Sequence, residues 1–288
     1  MLNCVPPLAS LSTLAHKYDV ILCDVWGVIH DGLAVHPAAR EALTQFRESG
    51  GSVILLSNAS RLSAMVTPEL ERLGMISEAY DALITSGDIT REFLSMRPGI
   101  SVFDVGPGSA RAICEGLDMR FTTMQEADIA VAGGAFQDDS KAIDKLRPLL
   151  HDMLGRRLLL LCANPDVVTE LGGRRVKCSG ALAEIYAEIG GLVHYAGKPH
   201  TPIFERALTL AAELRNGPVA RERVLVIGDS IRTDIAGARA NGFDSLFVAS
   251  GIHAQELGSS PFYTPNALER LFSASGFTPS AVTWRLFW

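Results

Sequence analysis

The sequence predicts an α/β protein: a Rossmann-like parallel sheet flanked by helices, with a second α/β domain inserted into the chain. Three observations predict this. Residues 20–23, 53–56 and 224–227 are short, wholly apolar runs. They lack the alternation of a half-exposed strand and are too short for a helix, so they read as parallel strands buried on both faces. Stretches of helical periodicity separate the early runs, giving the strand–helix–strand rhythm of a doubly wound sheet. The rhythm changes after Gly87 and a new set of strands and helices follows before the pattern of the first part resumes near Gly197.

In chain order, residues 1–17 are a lead-in in which Leu8, Leu11 and Leu14 have helical spacing. The first strand follows and ends on Asp24, after which Gly27 and Gly32 permit sharp turns. Pro37 opens a helix with Ala38, Ala42, Leu43 and Phe46 along one side, and Gly50-Gly51 closes it. Residues 52–56 are the second strand, running into Ser57, Asn58, Ala59 and Ser60. Thr67-Pro68-Glu69 predicts a helix capped by Thr67 and stopped at Gly74, and residues 82–85 a third strand.

The insertion is predicted over 88–193. Its elements are a helix over 89–94, a strand over 100–105, a turn at Gly106-Pro107-Gly108 and a helix over 109–116. A strand over 129–132, a helix over 140–150, a strand over 157–162 and a helix over 179–189 follow. The flanking core segments are then 1–87 and 194–288. Thr201 and Pro202 open a long helix. Residues 224–227 are a strand ending in Gly228-Asp229, and 245–249 another. The tail holds a helix around Leu268 and Leu271, then an apolar end over 284–288 expected to cover a core edge or a dimer face.

Composition narrows the function. The chain has 288 residues, 48% of them hydrophobic, enough for one large core or two ordinary domains. Lysine and arginine number 26 against 32 acids, so the net charge of -6 argues against a nucleic-acid binder, which carries a basic face. No long apolar window is free of charge, so no signal peptide or membrane span is expected. The five cysteines are scattered without CxxC spacing, as in a reducing, cytoplasmic compartment. Gly106-x-Gly108 lacks the third glycine of a dinucleotide fingerprint and reads as a turn.

The chemistry sits just past the apolar runs, around Asp24, Ser57, Lys198 and the pair Asp229 and Asp234. Any one Asp after a strand is ordinarily a turn or helix cap. Several such groups in order point to a shared site, because carboxylates that converge repel each other unless a cation lies between them. Oxygen-only ligands favour a hard ion, Mg2+ first. A lysine, a hydroxyl and a helix start near Ser57 complete a pocket for a phosphoryl group, which Asp24 attacks to give an aspartyl-phosphate.

On Asp24, Ser57-Asn58, Gly197-Lys198-Pro199, Gly228-Asp229 and Thr233-Asp234, the chain resembles the haloacid dehalogenase (HAD) superfamily. The subclass is the NagD-like and nitrophenylphosphatase-like phosphatases, class IIA, over nearly the whole chain. The resemblance implies a HAD core with a C2-type cap and a Mg2+-dependent hydrolase of phosphoric monoesters or acyl phosphates. Its substrate is then a small phosphorylated metabolite. Asp24 is then nucleophile and ligand, Asp229 a ligand, Asp234 a ligand or its support, and the Trp26 backbone carbonyl a further ligand. Ser57, Asn58 and Lys198 hold the phosphoryl group. Asn164 and Asp166, in the inserted domain, either touch substrate or form an Asx turn. Pairing through the cap would make a homodimer.

One departure matters. Family phosphatases carry a second Asp two residues after the nucleophile as general acid and base, and here that residue is Trp26. His30 and Asp31 are the nearest substitutes. Substrates with good leaving groups, such as acyl phosphates, need no acid. Two rival readings follow from Trp26: a catalytically weak HAD-like protein that binds a phosphorylated ligand or partner, and, ranked below it, a non-phosphatase hydrolase acting on carbon–halogen bonds.

Overall fold

In the computed structural model, which describes residues 6–106, 110–136, 142–171, 174–258 and 265–288, the first apolar run forms β1 (Val20–Asp24), buried along its whole length. β2 (Ser52–Ser57) and β3 (Ala82–Thr85) follow. Then come β4 (Ser101–Asp104), β5 (Arg120–Phe121), β6 (Ile129–Ala132), β7 (Ala135–Phe136), β8 (Leu159–Cys162), β9 (Val168–Leu171), β10 (Arg174–Cys178) and β11 (Val193–Tyr195). β12 (Val224–Gly228), β13 (Asp244–Val248) and β14 (Ala281–Thr283) complete the set.

The chain divides into two compact units. One comprises Met1–Ser57, Val66–Ile84 and Phe204–Trp288, and the other Asn58–Met65 and Thr85–Ile203. The first is built on a six-stranded sheet ordered β14-β13-β12-β1-β2-β3. β1 pairs in parallel with β12 on one side and β2 on the other. Purely apolar strands suit this position, since helices cover both faces of such a sheet. The helix Pro37–Glu48 buries Ala39, Ala42, Leu43 and Phe46. Each fully buried Leu or Phe contributes about 1.5–3 kcal/mol.

The second unit holds a five-stranded sheet, order β11-β8-β6-β4-β5, with every pairing parallel. Separate apolar clusters pack on it, one around Tyr186, Leu160 and Leu150, the other around Val131, Leu161 and Ile113. A three-stranded antiparallel sheet, β7-β10-β9, accompanies it. The arrangement is a parallel Rossmann-like core with an inserted, smaller sheet-and-helix region.

Several elements depart from the sequence reading. The helix expected at Thr67 begins a turn earlier, spanning Ser63–Arg72 with Pro68 inside it. Its start is fixed by a partner distant in sequence: the Asp88 carboxylate accepts a hydrogen bond from the Ser63 N–H at 3.0 Å. The lead-in helix starts only at Leu11. Leu8 is 70% exposed and makes an isolated bridge to Val282 instead of packing. The tail contributes β14, an edge strand paired with β13, before the chain reaches Trp284. The β9–β10 hairpin is also unforeseen. The turn expected at Pro107-Gly108 and the helix starts expected at Ser109 and Ser140 lie outside the described residues. Among the described residues no helix is long and apolar enough to cross a membrane.

Candidate active site

Parallel pairing places the acids. Cys23 lies opposite Ile227, so Asp24 and the Gly228-Asp229 step leave adjacent strands at the same sheet edge. Asp24 in turn lies opposite Leu56, which puts Ser57 one residue further along that edge. This carboxyl edge is where open α/β sheets present their chemistry. A short π-helical turn, Ile231–Ile235, follows β12 and carries Asp234. Ser230 caps the turn, its hydroxyl accepting from the Thr233 N–H, and Asp234 Oδ2 accepts from the Ser230 N–H at 3.1 Å.

The result is a tight acidic cluster. One carboxylate oxygen from each of Asp24, Asp229 and Asp234 lies within 4.8 Å of the other two. All three residues are buried, at 8%, 4% and 1% exposure. Buried like charges at this spacing are costly unless a cation neutralises them. Three carboxylates with no nitrogen or sulfur donor fit a hard, oxygen-seeking ion, and magnesium is the cofactor this set supports.

Glycines shape the cluster, of which the sequence pattern marks Gly27 only as a turn and Gly228 as part of the motif with Asp229. A Cβ on Gly251 would lie 1.9 Å from Asp229 Oδ2, and one on Gly27 2.0 Å from the same atom. A Cβ on Gly228 would lie 2.1 Å from Asp234 Cγ. Three separate segments therefore approach two acids more closely than any other residue allows. The Ile252 N–H then donates to Asp229 Oδ2 at 2.7 Å and fixes the carboxylate. The available signal for Gly251 was its position just past β13, the strand beside β12.

Trp26 is 44% exposed. Its ring is held from two sides. Gly32, at φ +90°, lies so close that a Cβ there would sit 2.7 Å from Trp26 Cη2. The His30 ring meets it edge-on at 5.0 Å between centroids. His30 is 6% exposed, and burial holds its pKa below the usual imidazole value. Its Nδ1 accepts a hydrogen bond from the Gly32 N–H at 3.0 Å, which assigns the ring proton to Nε2. Asp31 is exposed and serves the loop. Its Oδ1 accepts from the Leu33 and Ala34 N–H groups at 2.9 and 3.1 Å. Those bonds hold its carboxyl below the ordinary range, in the ionised form.

The remaining candidates belong to the second unit. Lys198 is buried at 3% exposure, in the loop after β11. Asn58 holds that loop. Asn58 Oδ1 accepts from the Lys198 N–H at 2.8 Å and from the Ser86 hydroxyl at 3.4 Å. Asn58 Nδ2 donates to the Lys198 carbonyl at 3.0 Å and to Asp166 Oδ1 at 2.8 Å. Both donors and both acceptor positions of the amide are thus occupied within the protein. The side-chain amide of Asn58 therefore serves the protein, holding the Lys198 loop. Asn164 forms the Asx turn, its Oδ1 accepting from the Asp166 N–H at 3.0 Å. Ser86 was not foreseen here, and Gly197 only as the first residue of the Gly197-Lys198-Pro199 motif. A Cβ on Gly197 would meet Ser86 Oγ at 1.9 Å and Asn58 Oδ1 at 2.4 Å.

Comparison with known proteins agrees with this architecture. A haloacid dehalogenase-like hydrolase family matches residues 21–120, and a HAD-hydrolase-like family residues 195–271. A crystal structure of a haloacid dehalogenase-like hydrolase from Brucella suis 1330 superposes with a TM-score of 0.82 at 35% identity, covering 98% of this chain and 100% of that one. The chain belongs to the haloacid dehalogenase-like hydrolases. Among curated relatives of this HAD chain, the ribonucleotide monophosphatase NagD of Escherichia coli K12 is 26% identical over 245 residues, 84% of this chain and 92% of that protein. The sugar-phosphatase AraL of Bacillus subtilis 168 is 25% identical over 265 residues, 85% and 88% of the two chains. With its buried acid cluster, this HAD member is a metal-dependent hydrolase of small phosphoesters or acyl phosphates.

Proposed function

We propose that the protein is a phosphatase working through an aspartyl-phosphate on Asp24, selective for substrates whose leaving group needs no protonation. The observation that carries this is the pairing of a complete acid cluster with Trp26 where the family's acid stands. An Asp24 carboxylate oxygen attacks phosphorus, and the phosphorus–oxygen bond to the leaving group breaks, with its electrons departing on that oxygen. Water then attacks the same phosphorus and releases Asp24 and inorganic phosphate. Asp24, Asp229 and Asp234, with the Trp26 carbonyl, would hold magnesium, whose contribution is neutralisation of charge at the phosphoryl oxygens. Ser57 and Lys198 would bind those oxygens, with Asn58 fixing the Lys198 loop.

Asp31 is a poor acid because its ionised form is the hydrogen-bonded one. His30 is the better substitute, presenting Nε2–H, yet burial disfavours its protonated form. General acid and base help is typically worth about 10²–10⁴-fold. Transfer of the phosphoryl group to Asp24 is therefore slow from alkyl phosphates, the class to which sugar and ribonucleotide monophosphates belong, and fast from acyl or aryl phosphates, whereas the water step that follows is the same for all of them.

The test is phosphate release from acetyl phosphate, 4-nitrophenyl phosphate, sugar phosphates, ribonucleotide monophosphates and phosphoglycolate, with and without Mg2+, alongside Asp24→Asn. Activity on the first two that requires both Mg2+ and Asp24 supports the reading. Rapid turnover of sugar phosphates with none of acetyl phosphate overturns the selectivity. Silence on every substrate moves the protein to the second reading, a binder of phosphorylated ligands, which Trp26 favours.

A further inference from the structure

The second unit contains a cavity of about 500 Å³, within the size range of small-ligand sites. It lies at the carboxyl ends of β4 and β5. The carboxyl edge of a parallel sheet is where such folds usually present their ligand sites. The lining is chemically unspent. Asp104, the last residue of β4, and Thr122, just past β5, both line it. Asp104 Oδ1 and Thr122 Oγ1 are buried without a hydrogen-bond partner. A buried acceptor left in this state is destabilising, so a ligand that supplies the donor recovers that cost.

Arg111 stands opposite in charge. Its guanidinium carbon lies 4.6 Å from the centre of the Phe121 ring. It is near enough to counter the rise that burial imposes on the Asp104 carboxyl. The two groups nevertheless form no ion pair among the described residues. An acid and a base held apart across a cavity suit a ligand carrying both complementary charges. Glu126 adds a second acid to the lining, which disfavours a dianionic phosphate and favours a ligand of zero net charge. Phe103 and Phe121 supply apolar wall.

We propose that this cavity binds a free α-amino acid with an apolar side chain. Its ammonium bonds to Asp104 and Thr122, its carboxylate to Arg111, and its side chain packs on Phe103 and Phe121. The site is independent of the phosphatase reading and of the acid cluster around Asp24.

The experiment is isothermal titration of the full chain, with Mg2+ present, using L-phenylalanine and L-leucine as probes. Phenethylamine lacks the carboxylate, N-acetyl-L-phenylalanine lacks the ammonium, and sodium phosphate is the anion control. Saturable one-to-one binding of at least one amino acid is expected, weakened about tenfold or more when either charged group is missing. Asp104→Asn and Arg111→Gln each weaken it by a similar factor. Asp104→Asn also holds or raises the melting temperature without ligand, because it removes an unpaired buried carboxylate, so lost binding there is not lost folding. Absence of saturation by either amino acid up to about 10 mM, where even a weak millimolar site would fill, overturns the proposal. So does binding that survives both substitutions, or binding of phosphate in place of the amino acids.

Discussion

Replacing Gly251 with alanine tests whether the glycines around Asp229 build the metal site. An added Cβ would lie 1.9 Å from Asp229 Oδ2, 2.3 Å from its Cβ and 2.4 Å from its Cγ. Optimal non-bonded carbon contacts are about 3.5–4.0 Å, so the overlap exceeds 1 Å by this measure. Rotation of the Asp229 side chain relieves only part of it, because Asp229 Cβ is fixed to the backbone. The segment carrying Gly251 must shift, and the Ile252 N–H bond to Asp229 Oδ2 goes with it. Loss of a hydrogen bond to a charged group costs about 1.5–3 kcal/mol, and overpacking about 1–3 kcal/mol. The sum is about 2.5–6 kcal/mol. At about 2–4 °C per kcal/mol for a chain of this order of size, Tm falls by about 5–24 °C. A 1 Å misplacement at a reacting centre costs about 10²-fold in rate. The assays are thermal melting with and without Mg2+, and phosphate release against Mg2+ concentration. Gly217→Ala is the control, since nothing lies within 4 Å of a Cβ there. A Gly251→Ala protein with natural Tm, Mg2+ response and rate would refute this account of the cradle.

Other outcomes follow from the same structure. His36, His194 and His200 are held below the ordinary imidazole pKa, chiefly by burial. The unfolded chain therefore binds more protons than the folded one below about pH 6.5. Stability is full above that pH and is lost as pH falls towards the folded values. The urea midpoint should drop between pH 7.5 and 5.5, and a rise would contradict the burial of these rings. Asn58→Ala removes the buried bonds to the Lys198 N–H and carbonyl, at about 1–3 kcal/mol each, and the part-buried bond to Asp166 Oδ1. Phosphate release should fall about tenfold or more, whereas Asp166→Asn, which keeps an acceptor for Asn58, should fall less. Equal effects would show that the amide does not hold the loop. Burial pushes the Cys162 and Cys178 thiols up to about 12. Iodoacetamide at pH 8 followed by peptide mapping should find both unmodified until the protein is unfolded.

What could be read from the chain was whatever depends on strand ends. Apolar runs such as 20–23 and 224–227 declare buried parallel strands, and parallel strands present their final residues at one edge. Asp24, Ser57 and Asp229 were therefore legible as neighbours before any register was known. What could not be read depends on contacts between distant segments. Gly251 approaches Asp229 from the far end of β13, and no local pattern distinguishes that glycine from a turn. The family motif points to Asn58 as a phosphate-site residue, and no local pattern shows that its side-chain amide is saturated by residues 28 to 140 positions away. The β9–β10 hairpin escaped because Thr169, Arg175 and Lys177 interrupt any apolar run. Asp88 starts the helix at Ser63 from 25 positions downstream, so Pro68 was mistaken for the opening signal.

Trp26 joins the fold to the chemistry, and Trp26→Asp separates its two consequences. The indole fills the space over Gly32 and meets the edge of His30. Aspartate is too short to reproduce either contact, so the substitution opens a hollow on the Gly32 side and lowers Tm. The same change restores a proton donor where the leaving oxygen departs. Without one, the rate must depend steeply on the leaving group, because the departing oxygen carries its negative charge unaided. With one, that dependence flattens, and the gain is largest on alkyl phosphates, up to about 10²–10⁴-fold. Values of kcat/KM, which report the transfer of the phosphoryl group to Asp24, measured across aryl phosphates of graded phenol pKa read this directly. A shallower slope in Trp26→Asp, together with a lower Tm, means that the natural protein forgoes general acid catalysis. An unchanged slope means that another group, with His30 Nε2–H the nearest candidate, already protonates the leaving oxygen, and the proposed selectivity for acyl and aryl phosphates falls.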